Sequence, residues 1–178
     1  MAIHDLAGFG RAALMVVIPI LSRMGIQVCP LPTAAFSTHG AFLGYMSVDL
    51  TSFMRDCLQH WTDLTIGFDA VYSGFLGRVE QVDILGDYLK HSSSPDWLVM
   101  IDPVLGDNGK LYGVTDPRMV EAMRSYIGFA DVITPNLTEA ALLLDVAYEV
   151  NPAENILKNW CTRLGEMGPK MVAITNVP

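Results

Sequence analysis

The chain has 178 residues, 51% of them hydrophobic and 17% charged, with a formal net charge of −8. That composition describes one globular domain with a sizeable core and excludes a disordered chain. No cluster of Lys and Arg occurs, which excludes the usual nucleic-acid and anionic-membrane binders, since both need concentrated positive charge.

In chain order, residues 1–5 read as the tail of a first strand, with His4 and Asp5 at its end. A turn at Gly8-Phe-Gly10 leads into an apolar helix over 12–24 that contains Pro19 and is closed by Gly25. Residues 27–33 read as a second strand, which Pro30 and Pro32 confine to an edge or an end. From 33 to 50 the composition turns small and polar, as in a long loop of the kind that often carries function. Residues 51–65 are amphipathic, with Phe53, Met54, Cys57, Leu58, Trp61 and Leu64 at helical spacing against a core. A strand over 70–74, a helix over 78–90 and a surface loop over 91–95 follow.

Two apolar runs then stop abruptly at a polar residue and a proline: Leu98–Ile101 before Asp102-Pro103, and Val132–Ile133 before Thr134-Pro135. Such runs read as buried parallel strands. Helices over 139–145 and 152–164 and a last strand over 170–175 complete the pattern. Strands alternating with helices give an α/β fold with a doubly wound, mostly parallel sheet and helices on both faces. The last strand lies three residues from Pro178 with no crossover helix behind it, so the sequence reads as a cut through a larger fold with its C-terminal part missing.

Cys29, Cys57 and Cys161 are odd in number and far apart. They make neither a metal-ligand pair nor a disulfide framework and read as buried, inert thiols of a cytoplasmic protein. The longest apolar run, 12–21, is shorter than the ~20 residues a membrane span needs, and the N-terminus lacks the basic segment of a signal peptide.

Ligands of open parallel sheets bind beyond the carboxyl ends of the strands, which gathers Asp102, Asp107, Asn136 and Glu139 along one edge. Carboxylates spaced as in Asp102-Pro-Val-Leu-Gly-Asp107 suit Mg²⁺, which takes one or two of them and fills its shell with water and phosphate oxygens. Both also suit turn caps. Asn136-Leu-Thr-Glu139 equally resembles a capping box. The two roles are compatible, because a capped helix N-terminus beside a metal is a good phosphate site. No Walker A loop occurs, and Gly8-x-Gly10 is too short for a dinucleotide fingerprint. His39 sits in a small-residue loop, where a polar role is open to it.

Taken together, Ile3–Arg11, Pro32-Thr-Ala-Ala-Phe-Ser-Thr-His39, Ser73-Gly-Phe-Leu-Gly77, Asp102–Asp107 and Thr134-Pro-Asn-Leu-Thr-Glu139 resemble the pyridoxal/pyridoxamine kinases, vitamin B6 kinases of the ribokinase superfamily. Hydroxymethylpyrimidine and phosphomethylpyrimidine kinases of thiamine synthesis share much of the pattern and are the alternative. The resemblance implies a ribokinase-like fold and transfer of the ATP γ-phosphate to a substrate hydroxymethyl group, with Mg²⁺ and often a monovalent cation. It implies that Asp5, His39 and Phe75 line the substrate pocket, and that Asp107, Asn136, Glu139 and Thr175 serve the nucleotide. Asp107 and Glu139 would serve the metal. Relatives of this kind are commonly homodimers. Three departures stand out: Gly40 replaces a substrate-contacting Thr, Met1 begins inside the first strand, and the Gly-x-Gly-Asp motif with the catalytic base lies beyond Pro178. From this pattern, little or no phosphoryl transfer is expected of the 178 residues alone, which leaves a non-catalytic remnant acting in binding or assembly as a further reading.

Overall fold

The apolar start of the chain folds as β1 (Ala2–Ala7), with Ala2, Ile3 and Ala7 buried. In a computed structural model that describes residues 1–40, 42–92, 96–113 and 115–177, this strand is the pivot of a seven-stranded sheet. β2 (Pro30–Phe36) pairs in parallel on one side of it and β4 (Ala70–Ser73) on the other. Beyond β4 come β5 (Leu98–Ile101), β8 (Val132–Ile133) and β9 (Met171–Val172), all parallel. The exception is β3 (Ser47–Asp49), which runs antiparallel to β2 at the far edge. β6 (Gly106–Asp107) and β7 (Lys110–Leu111) form a separate small hairpin. The expected mostly parallel, doubly wound architecture is therefore present.

Among the described residues, six α-helices connect the strands. α1 (Leu14–Arg23) lies on one face, and Gly25 closes it in the left-handed conformation with φ 82°. The amides of Gly25 and Ile26 return to the carbonyls of Ser22 and Leu21, both at 3.0 Å, a Schellman closure. α2 (Thr51–Asp63), α3 (Val79–Ser92), α4 (Arg118–Tyr126), α5 (Leu137–Leu144) and α6 (Glu154–Gly165) cover the other face. Their inner residues, among them Met54, Leu58, Leu85, Met123, Trp160 and Leu164, bury against Val71, Val99, Ile101 and Ile133 of the sheet. Burying each such side chain stabilises the fold by roughly 1.5–3 kcal/mol.

Several expectations shift. The second strand runs 30–36 rather than 27–33. β3 reaches only Ala34–Phe36, so both prolines stand where no partner on that side needs an amide donor. Of the supposed loop 33–50, residues 33–36 belong to β2 and 47–49 to β3. Phe53 and Leu64 of the amphipathic segment are exposed, because the apolar stripe is wider than the face that packs. α4 has no counterpart in the sequence reading; only Met119, Met123 and Tyr126 turn inward. His91 and Ser92 belong to α3, and residues 93–95 of the surface loop lie outside the described residues. The three cysteines are half-buried rather than buried, and none is paired. Burial raises the Cys57 thiol, which keeps it a poor nucleophile.

Candidate active site

The strand order reverses direction at β1 and β4, the place where doubly wound sheets bind ligands. A cavity of about 730 Å³ opens there, lined by His4, Asp5, Phe36, Tyr45, Phe75 and Tyr112 among others. Its aromatic wall is built in series. Phe36 meets Phe75 edge-on at 5.9 Å and Tyr45 at 5.5 Å. Opposite stands a polar pair, with His4 Nδ1 2.8 Å from Asp5 Oδ1. The His4 ring lies close against Gly74, where a Cβ would approach His4 Cδ2 to 2.1 Å. His39 stands beside the cavity, its ring against Gly10 and edge-on to Phe42 at 5.0 Å.

At the ends of β5 and β8 the chain makes a second, acidic cluster. Asn136 caps α5 with Oδ1, which accepts from the amides of Thr138 (2.8 Å) and Glu139 (3.0 Å). Glu139 returns the favour: its Oε2 accepts from the Asn136 amide at 2.8 Å and its Oε1 from the Leu105 amide at 3.1 Å. The capping box is real. Three further bonds tie the β6–β7 hairpin and the segment after β9 to it. Asn136 Nδ2 donates to the Gly106 carbonyl at 2.9 Å, the Gly109 amide to Thr138 Oγ1 at 2.9 Å, and the Thr175 amide to the Pro135 carbonyl at 2.8 Å. Asn136 and Thr175 also form an isolated parallel bridge. Asp107, half-buried in the hairpin, accepts from the Asn108 amide at 2.8 Å.

The electrostatics are those of carboxylates kept from water. Glu139 is 3% exposed, and its pKa rises to about 7, chiefly by burial, with the amide donors opposing and the charge of Asp102 adding. Burial also raises Asp102, against the pull of His4. Tyr112 feels burial first and then Glu139, Asp107 and Asp102, all raising its phenol. Tyr112 therefore borders both the cavity and the acidic cluster.

Residues 42–177 match the model of the phosphomethylpyrimidine kinase family. The chain belongs to that family. A Bacteroides thetaiotaomicron protein provisionally assigned as a phosphomethylpyrimidine kinase, in a crystal form with pyridoxal, superposes with a TM-score of 0.97 at 50% identity, covering 99% of this chain and 62% of that one. The pyridoxal kinase of Lactobacillus plantarum superposes at 0.91 with 36% identity, covering 99% and 63%. Pyridoxal kinase of Dictyostelium discoideum is 30% identical over 88% of this chain and 52% of its own length. The chain thus spans about half the length of the curated relatives it matches. The resemblance to pyridoxal kinases of the ribokinase superfamily is borne out.

Within this kinase family member, the residues singled out in the sequence fall into two neighbouring groups. Asp5 and Phe75 line the cavity, with His39 next to it; Asp107, Asn136, Glu139 and Thr175 gather at the hairpin. Phe36, Tyr45 and Tyr112 also line the cavity, and sequence reasoning missed them. Tyr112 reaches the cavity through the β6–β7 hairpin that it follows, a tertiary placement that the run Lys110-Leu111-Tyr112 does not announce.

Mg²⁺ is the ion the family resemblance implies, and the donor set suits it. Three carboxylates, Asp102, Asp107 and Glu139, act on one phenol, and the charge of Asp102 also acts on Glu139. Among the described residues no three His, Cys, Asp or Glu converge to cage a metal unaided. An ion here would be hydrated and share phosphate oxygens, as Mg²⁺ does.

Proposed function

We propose that the chain contributes the substrate- and phosphate-facing surface of an ATP-dependent kinase that phosphorylates the hydroxymethyl group of pyridoxal, pyridoxamine or pyridoxine. One observation carries this reading: an aromatic cavity with a His–Asp pair is lined by Tyr112, whose phenol also feels the carboxylates Glu139, Asp107 and Asp102 beside the capped N-terminus of α5. The crystal form with pyridoxal of the 50% identical Bacteroides protein supports the choice of ring.

In this reading Phe75 and Phe36 stack against or flank the pyridine ring, while Asp5, held by His4, addresses a ring substituent. His39 closes the pocket from the side. Asn136 fixes the N-terminus of α5, whose dipole favours phosphate oxygens, and Thr175 approaches the same oxygens. Asp107 and Glu139 would hold Mg²⁺ through its water, and the ion would neutralise charge developing on the transferred group. Such chemistry is mostly positioning and charge stabilisation. A monovalent cation near Asp107, a homodimer and a cytoplasmic setting belong to the same proposal. Among the described residues no helix is long and apolar enough to cross a membrane.

The test is calorimetric titration of the 178-residue chain with pyridoxal, hydroxymethylpyrimidine and Mg²⁺–ATP, followed by mass analysis for phosphorylated product. Binding of pyridoxal in preference to the pyrimidine is expected. Preference for hydroxymethylpyrimidine would move the chain to the thiamine-pathway alternative, and binding of none of the three would sink the reading. Product formation decides whether the chain acts alone.

A further inference from the structure

Gln81, in the first turn of α3, is 0% exposed. A buried primary amide carries two donors and an acceptor that must all be met. Here they are. Its Nε2 donates to the Thr33 carbonyl at 2.8 Å and to Thr51 Oγ1 at 2.9 Å, and its Oε1 accepts from the Gly77 amide at 2.8 Å. Thr33, also 0% exposed, donates its hydroxyl to the Phe75 carbonyl at 2.9 Å. One polar network therefore joins β2, the start of α2, α3 and the loop that follows β4.

The consequence reaches the cavity wall. Phe75 and Gly77 lie in that loop, and both are held by their backbones, one through Thr33 and the other through Gln81. The Thr33 carbonyl also accepts from the Leu50 amide at 3.1 Å, which ties the return from β3 to the same point. Phe36, three residues beyond Thr33, is the ring against which Phe75 packs. A helix–loop junction could be built with apolar contacts alone at lower risk, since a partly satisfied buried network destabilises. The network instead fixes the direction in which one loop presents its aromatic ring.

We infer that Gln81 is a positioning residue: through Gly77 and Thr33 it sets the Phe75 ring against Phe36 and so shapes the ring pocket. This rests on the reading of the cavity given above. Gln81→Met removes the three bonds of the amide, and Thr33→Val removes the hydroxyl's bond to the Phe75 carbonyl while leaving the Thr33 carbonyl to which Gln81 donates; both nearly conserve volume. Thr33→Ser keeps the hydroxyl. Leu85→Ala, in the same helix and fully buried, destabilises the core without touching the network.

The experiment places 4-fluorophenylalanine at position 75 and reads its fluorine resonance, together with pyridoxal affinity, in each variant. Gln81→Met and Thr33→Val are expected to shift or split the resonance and to raise the Kd for pyridoxal by about tenfold or more. Thr33→Ser should match the parent in both. Leu85→Ala should lower Tm and leave resonance and Kd unchanged. An unmoved resonance in both network variants, or an equal loss of affinity in Leu85→Ala, would overturn the inference. Should Gln81→Met fail to fold, Thr51→Val, which removes the bond from Gln81 Nε2 to Thr51 Oγ1, takes its place, with the same shift expected and an unmoved resonance overturning the inference. If the parent chain does not bind pyridoxal, the functional reading falls, while the resonance still decides whether Gln81 sets Phe75.

Discussion

Asn136 and Glu139 cap each other: Asn136 Oδ1 accepts from the Glu139 amide at 3.0 Å, and Glu139 Oε2 accepts from the Asn136 amide at 2.8 Å. The structural role and the proposed nucleotide role thus share the same atoms. Asn136→Ala removes the cap and the bond to the Gly106 carbonyl together. The expected loss is about 1–2 kcal/mol, read as a lower urea midpoint. An unchanged midpoint would show that the cap is replaced by water.

Glu139 gives the fold a pH dependence of unusual sign. Its folded pKa, about 7, lies above its ordinary value of 4.5, so the folded state binds the proton more tightly than the unfolded state. The stability gained from that proton is complete below pH 4.5 and is lost as the pH rises through 7. Between pH 5 and 8 the chain should lose up to about 3 kcal/mol from this group. Urea titrations at both ends of that range, with Glu139→Gln as comparison, check the assignment. Equal slopes in the parent and Glu139→Gln would place the effect elsewhere.

Asp107 differs from Glu139 in standing at the rim. Its contacts within the hairpin are to the neighbouring Asn108, and an amide oxygen can accept the same backbone bond. Asp107→Asn should therefore leave Tm nearly unchanged while weakening Mg²⁺–ATP binding by about 10–100-fold, the usual effect of losing a partner of a hydrated metal. Calorimetry in the presence and absence of Mg²⁺ separates the two. A matched fall in Tm with affinity intact would leave Asp107 as a turn residue only.

Much of this was legible in the sequence because the signals are local. The abrupt ends of Leu98–Ile101 and Val132–Ile133 located two parallel strands and the acidic cluster beyond them, and Asn136-x-x-Glu139 announced its own capping box. What was not legible is tertiary. Arg118, Glu121 and Arg124 put charge along α4, and its three inward residues, Met119, Met123 and Tyr126, are too few to mark a helix without the partner they pack on. β3 is three exposed residues, ordered only by pairing with Ala34–Phe36. Gln81 reads as an ordinary polar helix residue, and nothing in its neighbours says that Thr33 and Thr51 wait for its amide. Phe36 and Tyr45 join the cavity wall because β2 runs three residues past Thr33, a boundary no local pattern gives.

Two glycines of the same loop separate close approach from mere flexibility. A Cβ on Gly74 would meet the His4 ring at 2.1 Å, whereas one on Gly77 finds nothing nearer than Phe75 at 3.6 Å. Neither has the positive φ that would strain a side chain, so the contrast is one of space. Gly74→Ala must displace His4 and with it the Asp5 contact, costing roughly 1–3 kcal/mol by overpacking and weakening pyridoxal binding. Gly77→Ala should leave both Tm and affinity close to the parent. Equal behaviour of the two variants would mean that His4 moves freely and does not hold Asp5.

The sheet face opposite α2–α6 carries a row of cross-strand neighbours, Tyr72, Met100, Val132 and Met171, set by the parallel register of β4, β5, β8 and β9. α1 reaches only the near side of this face, and Leu98 and Met171 remain 51% and 60% exposed. β9 is also the edge of the sheet among the described residues. Apolar surface beside an unpaired edge drives association, so the 178-residue chain should show a mass that rises with concentration in sedimentation. Met171→Lys puts a charge on both the face and the edge and should reduce that association by about tenfold, with Tm unchanged because Met171 packs little in the folded chain. A parent chain that stays monomeric at all concentrations would show that this face is tolerated in water. A variant that associates as strongly as the parent would place the contact on another surface.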